Sequence, residues 1–304
     1  DLNFLLPGLK VKGTFSFDRF SSGTVSRGKT PDYYVPATGR DDEGNLIIAS
    51  KSNGTNFLDY SKSGEYGNKS VYMEATLSYD RTFAEKHSVA AMLLFNRRNY
   101  DDGSKLPYRN QGLAGRASYT YSGKYVGEFN FGYNGSENFA KGKRYGFFPS
   151  GAIGSIVSQE AFLQPSRKVI SKLKLRASYG QVGNANLGGR RFAYLSTITD
   201  DYATLDMYKW GLDSSYGLTG MAEGEFAVQD LTWEIVNKMN LGVELGFLNG
   251  MIDLQLDYFD ERRKDIFMPR ESVPMTAGFM KQPWKNFGKV TNQGVDCLLY
   301  TSPS

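Results

Sequence analysis

Apolar and polar side chains alternate with a period of two residues along much of this chain. The alternation is clearest at residues 71–80, 172–179, 240–247 and 252–258. In the last of these, Ile252, Leu254, Leu256 and Tyr258 are separated by Asp253, Gln255 and Asp257. A period of two places all apolar side chains on one face of a strand and the polar ones on the other. Weaker examples lie at residues 9–18, 88–96, 113–121, 125–134, 148–157 and 286–296, so the sequence predicts an all-β fold of about ten strands.

Composition excludes several other classes of protein. Mean hydropathy is −0.44 and no apolar run approaches the roughly 18 residues that a membrane-spanning helix needs. A single histidine, His87, and a single cysteine, Cys297, exclude zinc clusters and disulfide frameworks. The net charge of +4 is spread along the chain, which argues against a nucleic-acid partner. Neither a metal nor an organic cofactor is expected.

The links between the predicted strands alternate in length. Short links are predicted at residues 82–86, 122–124 and 248–250, and long polar ones at 19–70, 97–112, 135–147, 181–235 and 262–285. An intermediate link at residues 158–171 is expected to hold one or two helical turns before Pro165. Short turns at one end and long loops at the other are typical of antiparallel up-and-down barrels in the bacterial outer membrane, whose tilted strands need about 9–11 residues.

A lipid-facing strand surface tolerates few charges. A lysine or arginine at the bilayer midplane costs roughly 2–4 kcal/mol. We therefore expect Lys172, Lys174, Arg176 and Glu244 to point into the lumen of such a barrel.

Five segments together resemble the SusC/RagA family of TonB-dependent outer-membrane transporters of Bacteroidota. They are RYGFFPSGAIG at residues 144–154, LKLRASYGQVGN at 173–184, LTWE at 231–234, NLGVELGFLNGMIDLQLDYFDERRKDIF at 240–267 and NFGKVTNQGVD at 286–296. The resemblance implies a 22-stranded barrel filled by an N-terminal plug, a TonB box before the plug, and a SusD-like surface lipoprotein outside. It also implies contact with outer-membrane lipid and with the TonB complex.

About ten strands are too few to close such a barrel. We therefore expect residues 1–296 to form an incomplete, open section of the barrel wall, without the plug domain and TonB box. Because Asp1 is not an initiator and no signal peptide precedes it, the start of the gene product is expected to be missing or to have been removed. Residues 297–304 break the alternation and are expected to be an artefactual tail from sequencing, which removes Cys297 from functional consideration.

Aromatic residues in the predicted long loops are the candidate contacts for a substrate or for the lipoprotein. They are Tyr33, Tyr34, Tyr100, Tyr108, Tyr208, Trp210, Tyr216 and Trp284. Flat rings stack on sugars and grip peptide side chains, and tyrosine and tryptophan are also common at protein interfaces. Packing of the loops against each other is the third role open to these residues.

Other motifs are weaker. Residues 23–30 match the phosphate-binding P-loop pattern, but Pro31 follows where a helix is required. The acidic groups 41–43 and 200–201 lack the order of a calcium-binding loop. Asp257, Asp260 and Glu261 offer the two carboxylates that a glycosidase needs, but Asp257 belongs to a strand face and residues 260–264 form an alternating-charge strand end, which argues against hydrolysis.

The sequence thus favours a protein without catalytic activity that forms part of an importer for oligosaccharides or peptides in the outer membrane. Two rivals stay open. A soluble, secreted β-sandwich that binds carbohydrate has the same alternation, because its apolar face turns inward against a second sheet. An outer-membrane enzyme built on a barrel scaffold is the other, although no nucleophile and base are recognisable.

Overall fold

The computed structural model describes residues 1–103, 106–166, 169–199, 208–210, 212, 216–218, 221–278 and 281–301. Strands account for 64% of these described residues. They are β1 (Leu9–Gly28), β2 (Tyr33–Tyr34), β3 (Ser50–Ser52), β4 (Asp59–Phe83), β5 (His87–Asp101), β6 (Tyr108–Tyr121), β7 (Tyr125–Ser136), β8 (Tyr145–Ile156), β9 (Ile170–Asn184), β10 (Ile198–Thr199), β11 (Tyr208–Trp210), β12 (Tyr216–Leu218), β13 (Ala222–Glu223), β14 (Glu234–Phe247), β15 (Ile252–Pro269) and β16 (Trp284–Thr301).

Short 3₁₀ helices occupy part of the remaining chain. They lie at Val157–Gln159, Ala161–Ser166, Leu248–Gly250 and Met275–Ala277. The second contains Pro165, so the helical turn predicted in this link is present but extends past the proline. Within the described ranges, no helix is long and apolar enough to cross a membrane.

Ten of the strands form one sheet in the order β1-β4-β5-β6-β7-β8-β9-β14-β15-β16. Strands that follow each other in the chain are neighbours in the sheet, apart from the short strands inserted in the links, and the sheet does not close on itself. This confirms the predicted open section of an antiparallel up-and-down barrel. The other sheets formed by the described residues have two strands each, so the two-layer sandwich does not describe this fold.

The strands extend further than the alternation predicted. β1 has 20 residues, β4 has 25, and β15 and β16 have 18 each. The predicted loops at residues 97–112 and 135–147 are wrong in extent, because β5 to β8 leave only 102–107 and 137–144 as links. Backbone pairing needs no apolar face, so the ladder continues into polar sequence where the alternation can no longer be read.

The short links are tight turns at one end of the sheet. Ser122 and Gly123 have φ of 50° and 67°, and the amide N–H of Lys124 donates to the carbonyl of Tyr121 at 2.9 Å. Positive φ at both central residues defines the type I′ turn, whose twist matches that of a hairpin. Residues 84 and 85 between β4 and β5 adopt the same conformation. The opposite end, called the loop end below, carries the links 137–144, 185–233 and 270–283.

Backbone contacts divide the chain into two compact units. The first comprises residues 1–15, 72–98 and 109–304, and the second 16–71 and 99–108. In the second unit Lys69 forms an ion pair with Asp101 at 3.1 Å, and the rings of Phe20 and Tyr66 lie 6.3 Å apart. The buried apolar core belongs to the first unit and lies near its loop end.

β16 continues beyond the predicted end of the alternation. Cys297 pairs with Leu256, and Thr301 pairs with Ile252. Leu298 and Tyr300 fall on the face that carries Gln255 and Asp253, which is the break in pattern seen in the sequence.

Candidate functional site

The sheet has two chemically different faces, and the register of β9, β14 and β15 defines them. Lys174 pairs with Glu244, and Glu244 pairs with Gln255. Because alternate residues share a face, Lys172, Lys174, Arg176 and Glu244 lie together on what we call the polar face. The shared face that the sequence predicted for these four residues is present.

Ion pairs connect the three strands across the polar face. Lys172 and Lys174 both reach Glu244, with Nζ to carboxylate oxygen distances of 2.7 and 3.0 Å. Arg176 Nη2 lies 2.5 Å from Asp257 Oδ2, which also accepts from Gln255 Nε2 at 2.8 Å. The acidic side chains are the buried partners, at 16% exposure for Glu244 and 12% for Asp257. We call this chain of contacts the charge ladder.

Gly242 leaves the space in which the charge ladder forms. It lies on the polar face, paired with Arg176 on one side and Asp257 on the other. A Cβ atom built on Gly242 would contact Arg176 Nε and would lie 2.5 Å from Asp257 Oδ1 and 2.7 Å from Arg176 Cγ. Real Cβ atoms essentially never approach other atoms so closely. Any other residue at this position would therefore push the two charged side chains apart.

The opposite face, called the apolar face, carries large apolar side chains that nothing in the described chain covers. Ile153 is 68% exposed, Phe129 50%, Leu241 47% and Val295 66%. Their register across β7, β8, β9 and β14 places Phe129, Ile153 and Leu241 on one surface. Such a continuous apolar surface marks contact with another protein or with a membrane.

Aromatic side chains border the apolar face at both ends. Near the short turns, His87 Nδ1 lies 2.7 Å from the hydroxyl of Tyr119, and the rings of Tyr121 and Tyr125 stack at 6.5 Å. Near the loop end, Tyr133 and Tyr145 stack with centroids 5.1 Å apart and planes 13° apart. Aromatic rows on either side of an apolar band are characteristic of outer-membrane barrels.

A buried cluster fixes the base of the long links. Its buried members are Phe139, Phe148, Leu187, Val228, Leu231, Trp233 and Phe267. Trp233 stacks on Phe139 at 4.9 Å and meets Phe148 edge-on at 5.3 Å, while its buried Nε1 has no hydrogen-bond partner in the described residues. The cluster orders the segment that enters β14.

Three of the motifs that carry the family resemblance, at residues 231–234, 240–267 and 286–296, meet beside this cluster. Asn286 Oδ1 accepts from the amide of Thr232 at 3.1 Å, and Asn286 Nδ2 donates to the carbonyls of Thr232 at 3.0 Å and Asp265 at 2.8 Å. Glu234 forms an ion pair with Arg263 at 2.8 Å. The sequence identified these motifs but gave no structural role to Asn286 or Trp233. Local patterns cannot show that residues 232 and 286 are neighbours.

The eight candidate aromatics do not share one environment. Tyr33 and Tyr34 form β2 and are 56% and 61% exposed. Tyr100 and Tyr108 were predicted in a loop, but they lie at the ends of β5 and β6 because those strands extend further, with ring centroids 6.0 Å apart. The backbones of Tyr208, Trp210 and Tyr216 form the β11–β12 hairpin, in which Trp210 pairs with Tyr216.

Trp284 has a packing role in the structure. It is the first residue of β16 rather than a loop residue, because β16 begins earlier than predicted. Its ring lies 5.1 Å from that of Phe267, and the Arg190 guanidinium stands 4.0 Å above it. The contact with Arg190 ties the loop end of the sheet to the link 185–233, and the contact with Phe267 joins β15 to β16.

The described structure does not bring the residues of the weaker motifs into a functional arrangement. The P-loop match at residues 23–30 lies largely within β1 and opens no helix. Asp41 accepts the amide N–H groups of Asn45 and Glu43 at 2.7 and 3.1 Å, and the bond from Asn45 contributes most to lowering the pKa of Asp41. Asp200 and Asp201 lie outside the described residues, and the rest of the chain contains no cluster of three metal-ligating side chains. Asp257 and Asp260 lie on opposite faces of β15, so they do not form a glycosidase pair.

A two-faced, ten-stranded meander with long links at one end is the wall of a membrane β-barrel. The model of the TonB-dependent receptor-like β-barrel family matches residues 2–299. The chain therefore belongs to this family.

Similar proteins support the same assignment. TonB-dependent receptor P3 of Formosa agariphila is 28% identical over 96% of this chain and 29% of its own length. TonB-dependent receptor SusC of Bacteroides thetaiotaomicron is 33% identical over 62% of this chain and 18% of its own length. The chain thus spans less than a third of these relatives. The solved RagAB peptide importer in its closed-closed state superposes with a TM-score of 0.70 at 18% identity, over 98% of this chain and 33% of that one, which shows a common fold.

Proposed function

We propose that this chain is a section of the barrel wall of a TonB-dependent importer in the bacterial outer membrane. The observation that carries the proposal is the apolar face, which is bordered by aromatic side chains at both ends and has large aliphatic and aromatic side chains between them. Inside hydrocarbon every backbone donor and acceptor must be paired, which a complete barrel achieves because it has no edges. The missing strands would therefore have to pair with β1 and β16.

The spacing of the aromatic residues fits a bilayer. Tyr125 and Tyr133 lie on the same face of β7, eight residues apart, which corresponds to about 27 Å along a strand. At a strand tilt of about 40°, the distance along the membrane normal is about 21 Å, close to the apolar band of roughly 25 Å in known barrels.

The charge ladder suits the inner side of the wall. A charge facing acyl chains has no solvent or partner, whereas the lumen of a barrel is polar. Lys172, Lys174 and Arg176 are 51%, 37% and 36% exposed in this section, so the polar face presents cationic groups to whatever fills the lumen.

The proposed class of transporter implies an energy source, a partner protein and a substrate. TonB would act on an N-terminal plug domain outside this chain, and a SusD-like surface lipoprotein would cover the loop end. The cargo is an oligosaccharide or a peptide too large to diffuse through a porin. The exposed pair Tyr33 and Tyr34 and the β11–β12 hairpin with Tyr208, Trp210 and Tyr216 are the proposed contacts with the cargo or the lipoprotein. Tyr100, Tyr108 and Trp284 are assigned to packing, since their rings contact neighbours in the fold.

Uptake by the full-length protein in its native host tests this proposal. Labelled oligosaccharides and labelled peptides are supplied separately to cells with and without the gene, and with and without functional TonB. We expect one cargo class to enter only when both gene and TonB are present. Uptake that is independent of TonB would contradict the proposal.

A pair of variants tests the aromatic contacts. Replacing both Tyr33 and Tyr34 by alanine should lower uptake or lipoprotein affinity without changing the amount of protein in the outer membrane. Tyr60→Ala is the matched control, because Tyr60 is 61% exposed and is not among the proposed contacts. Equal uptake and equal lipoprotein affinity in both variants would remove Tyr33 and Tyr34 from the site.

A further inference from the structure

A small polar pocket lies at the loop end of the sheet, beyond the aromatic border of the apolar face. Its volume is about 200 Å³, and its lining includes Arg97, Arg109, Arg144, Gln111, Glu137 and Tyr145. We call it the arginine pocket. From its position and charge we propose that it binds the phosphate of an anionic lipid headgroup in the membrane leaflet on the loop side. This inference rests on the proposed function, because it requires the apolar face to meet lipid.

The register places three lining residues of the pocket on the apolar face, whereas Asn110 and Ser136, which also line it, pair with each other on the polar face. Gln111 pairs with Gly135, and Gly135 pairs with Tyr145, so the three residues share a face. The same register puts Phe129 and Ile153 on that face. Both lie nearer the short turns, Phe129 six residues from Gly135 and Ile153 eight residues from Tyr145. Arg109 stands two residues from Gln111 in β6, and Arg97 continues the exposed run of Leu93 and Phe95 in β5. The arginines therefore stand where the apolar band ends.

The arginines that line the pocket outnumber its acidic residues, so the lining carries excess positive charge. Glu137 is its one acidic lining residue, and its carboxylate already accepts from Arg191 Nη2 at 2.6 Å and from the amide of Arg109 at 3.2 Å. Arg144 Nε donates to the carbonyl of Phe139 at 3.2 Å, which leaves its other donors for a ligand. Across the described part of the chain, neither the Arg97 nor the Arg109 guanidinium forms an ion pair. Three guanidinium groups therefore face a single engaged carboxylate.

The wall of the pocket is held in shape by neighbouring side chains. The hydroxyl of Tyr145 accepts a hydrogen bond from Gln111 Nε2, and the Tyr145 ring stacks on Tyr133. A Cβ atom on Gly135 would lie 2.5 Å from Tyr145 Cε1, so glycine is what allows the ring to lie flat over β7. A concave group of arginines suits phosphate, which accepts paired N–H donors from each guanidinium.

A lipid phosphate fits this location better than an anionic cargo does. Cargo would pass along the polar face and the lumen, whereas Gln111, Gly135 and Tyr145 of the pocket lie on the apolar face of the same strands. Directly below it, the apolar face offers a surface for acyl chains. Basic residues next to a membrane attract anionic lipids in this way, with about a fivefold gain in binding for each residue.

Lipid retention by the purified full-length protein tests the proposal. The protein is reconstituted in phosphatidylcholine nanodiscs that contain a small fraction of either phosphorylated lipid A or its dephosphorylated form, and bound lipid is counted by native mass spectrometry. The test variant is Arg97→Gln with Arg109→Gln. Arg116→Gln is the control, since Arg116 lies on the polar face, where it pairs with Glu128.

We expect the wild type and the Arg116 variant to retain phosphorylated lipid A preferentially, and the double variant to lose roughly 25-fold in affinity for it. Equal retention by all three proteins would overturn the proposal, as would equal retention of the dephosphorylated lipid. Competition by an acidic oligosaccharide, but not by lipid, would make the pocket a cargo site instead. Failure of the protein to insert into nanodiscs would contradict the proposed function itself, which keeps the two outcomes distinct.

Discussion

Substituting Gly242 by alanine should break the charge ladder without touching any charged residue. The new Cβ would occupy the space between Arg176 and Asp257, less than 3 Å from atoms of both side chains. Because Gly242 lies in the β14 ladder between β9 and β15, the backbone cannot move aside without disturbing two sets of cross-strand bonds. The side chains must therefore separate.

The size of the effect follows from the burial of the pair. Separating a fully buried ion pair costs roughly 3–5 kcal/mol, and separating an exposed one at most about 1 kcal/mol. Asp257 is 12% exposed and Arg176 is 36% exposed, so the pair lies between these limits. We expect Gly242→Ala to lower the free energy of unfolding by about 2 kcal/mol.

Urea unfolding of the full-length protein in lipid vesicles measures this loss. Gly154→Ala is the matched control, since Gly154 pairs with Arg176 from the other side but its Cβ would meet nothing closer than the Leu175 carbonyl at 3.6 Å. In a background where Arg176 and Asp257 are both alanine, the cost of Gly242→Ala should almost disappear. Equal stability of the Gly242 and Gly154 variants would refute the role given to the glycine.

Two further predictions concern the apolar face and the buried cluster. Ile153→Arg should lower the free energy of unfolding in vesicles by roughly 2–4 kcal/mol, because the charge would face lipid. Ala152→Arg, on the polar face, should lower it far less. Equal losses for the two variants in urea titrations would contradict the assignment of faces. Trp233→Phe should accelerate proteolysis of the link 185–233 only slightly, because the smaller ring keeps most of the packing and the indole Nε1 has no hydrogen-bond partner among the described residues. Trp233→Ala, at a cost of roughly 3–5 kcal/mol, should accelerate cleavage much more. Equal cleavage rates of the phenylalanine and alanine variants would contradict the packing role given to the Trp233 ring.

The sequence predicted the sheet well because its main signal is local. Alternation of apolar and polar residues located all ten strands of the large sheet and placed Lys174, Arg176 and Glu244 on one face. The same signal failed where both faces of a strand are polar, as in residues 59–70 of β4, which the sequence assigned to a loop.

The contacts between distant segments could not be predicted. Asn286 bridges to Thr232, and Trp284 lies between Phe267 and Arg190, because the sheet and its links bring these residues together. The arginine pocket has the same origin, since Arg97, Arg109 and Arg144 come from separate segments with no shared motif. The periodicity of the sequence therefore predicts the strands of the barrel wall. The sites depend on contacts between distant segments, which only the folded structure shows.

The central claim is that the apolar face meets acyl chains and the polar face meets water. Single cysteines at Leu241 and Asn240, neighbours in β14 on opposite faces, can carry a fluorophore in the full-length protein with Cys297 replaced by serine. In vesicles, brominated lipid should quench the fluorescence of the label at residue 241. Iodide in the water should quench the fluorescence of the label at residue 240. Quenching of both labels by iodide alone, or of the label at residue 240 by lipid, would contradict the account.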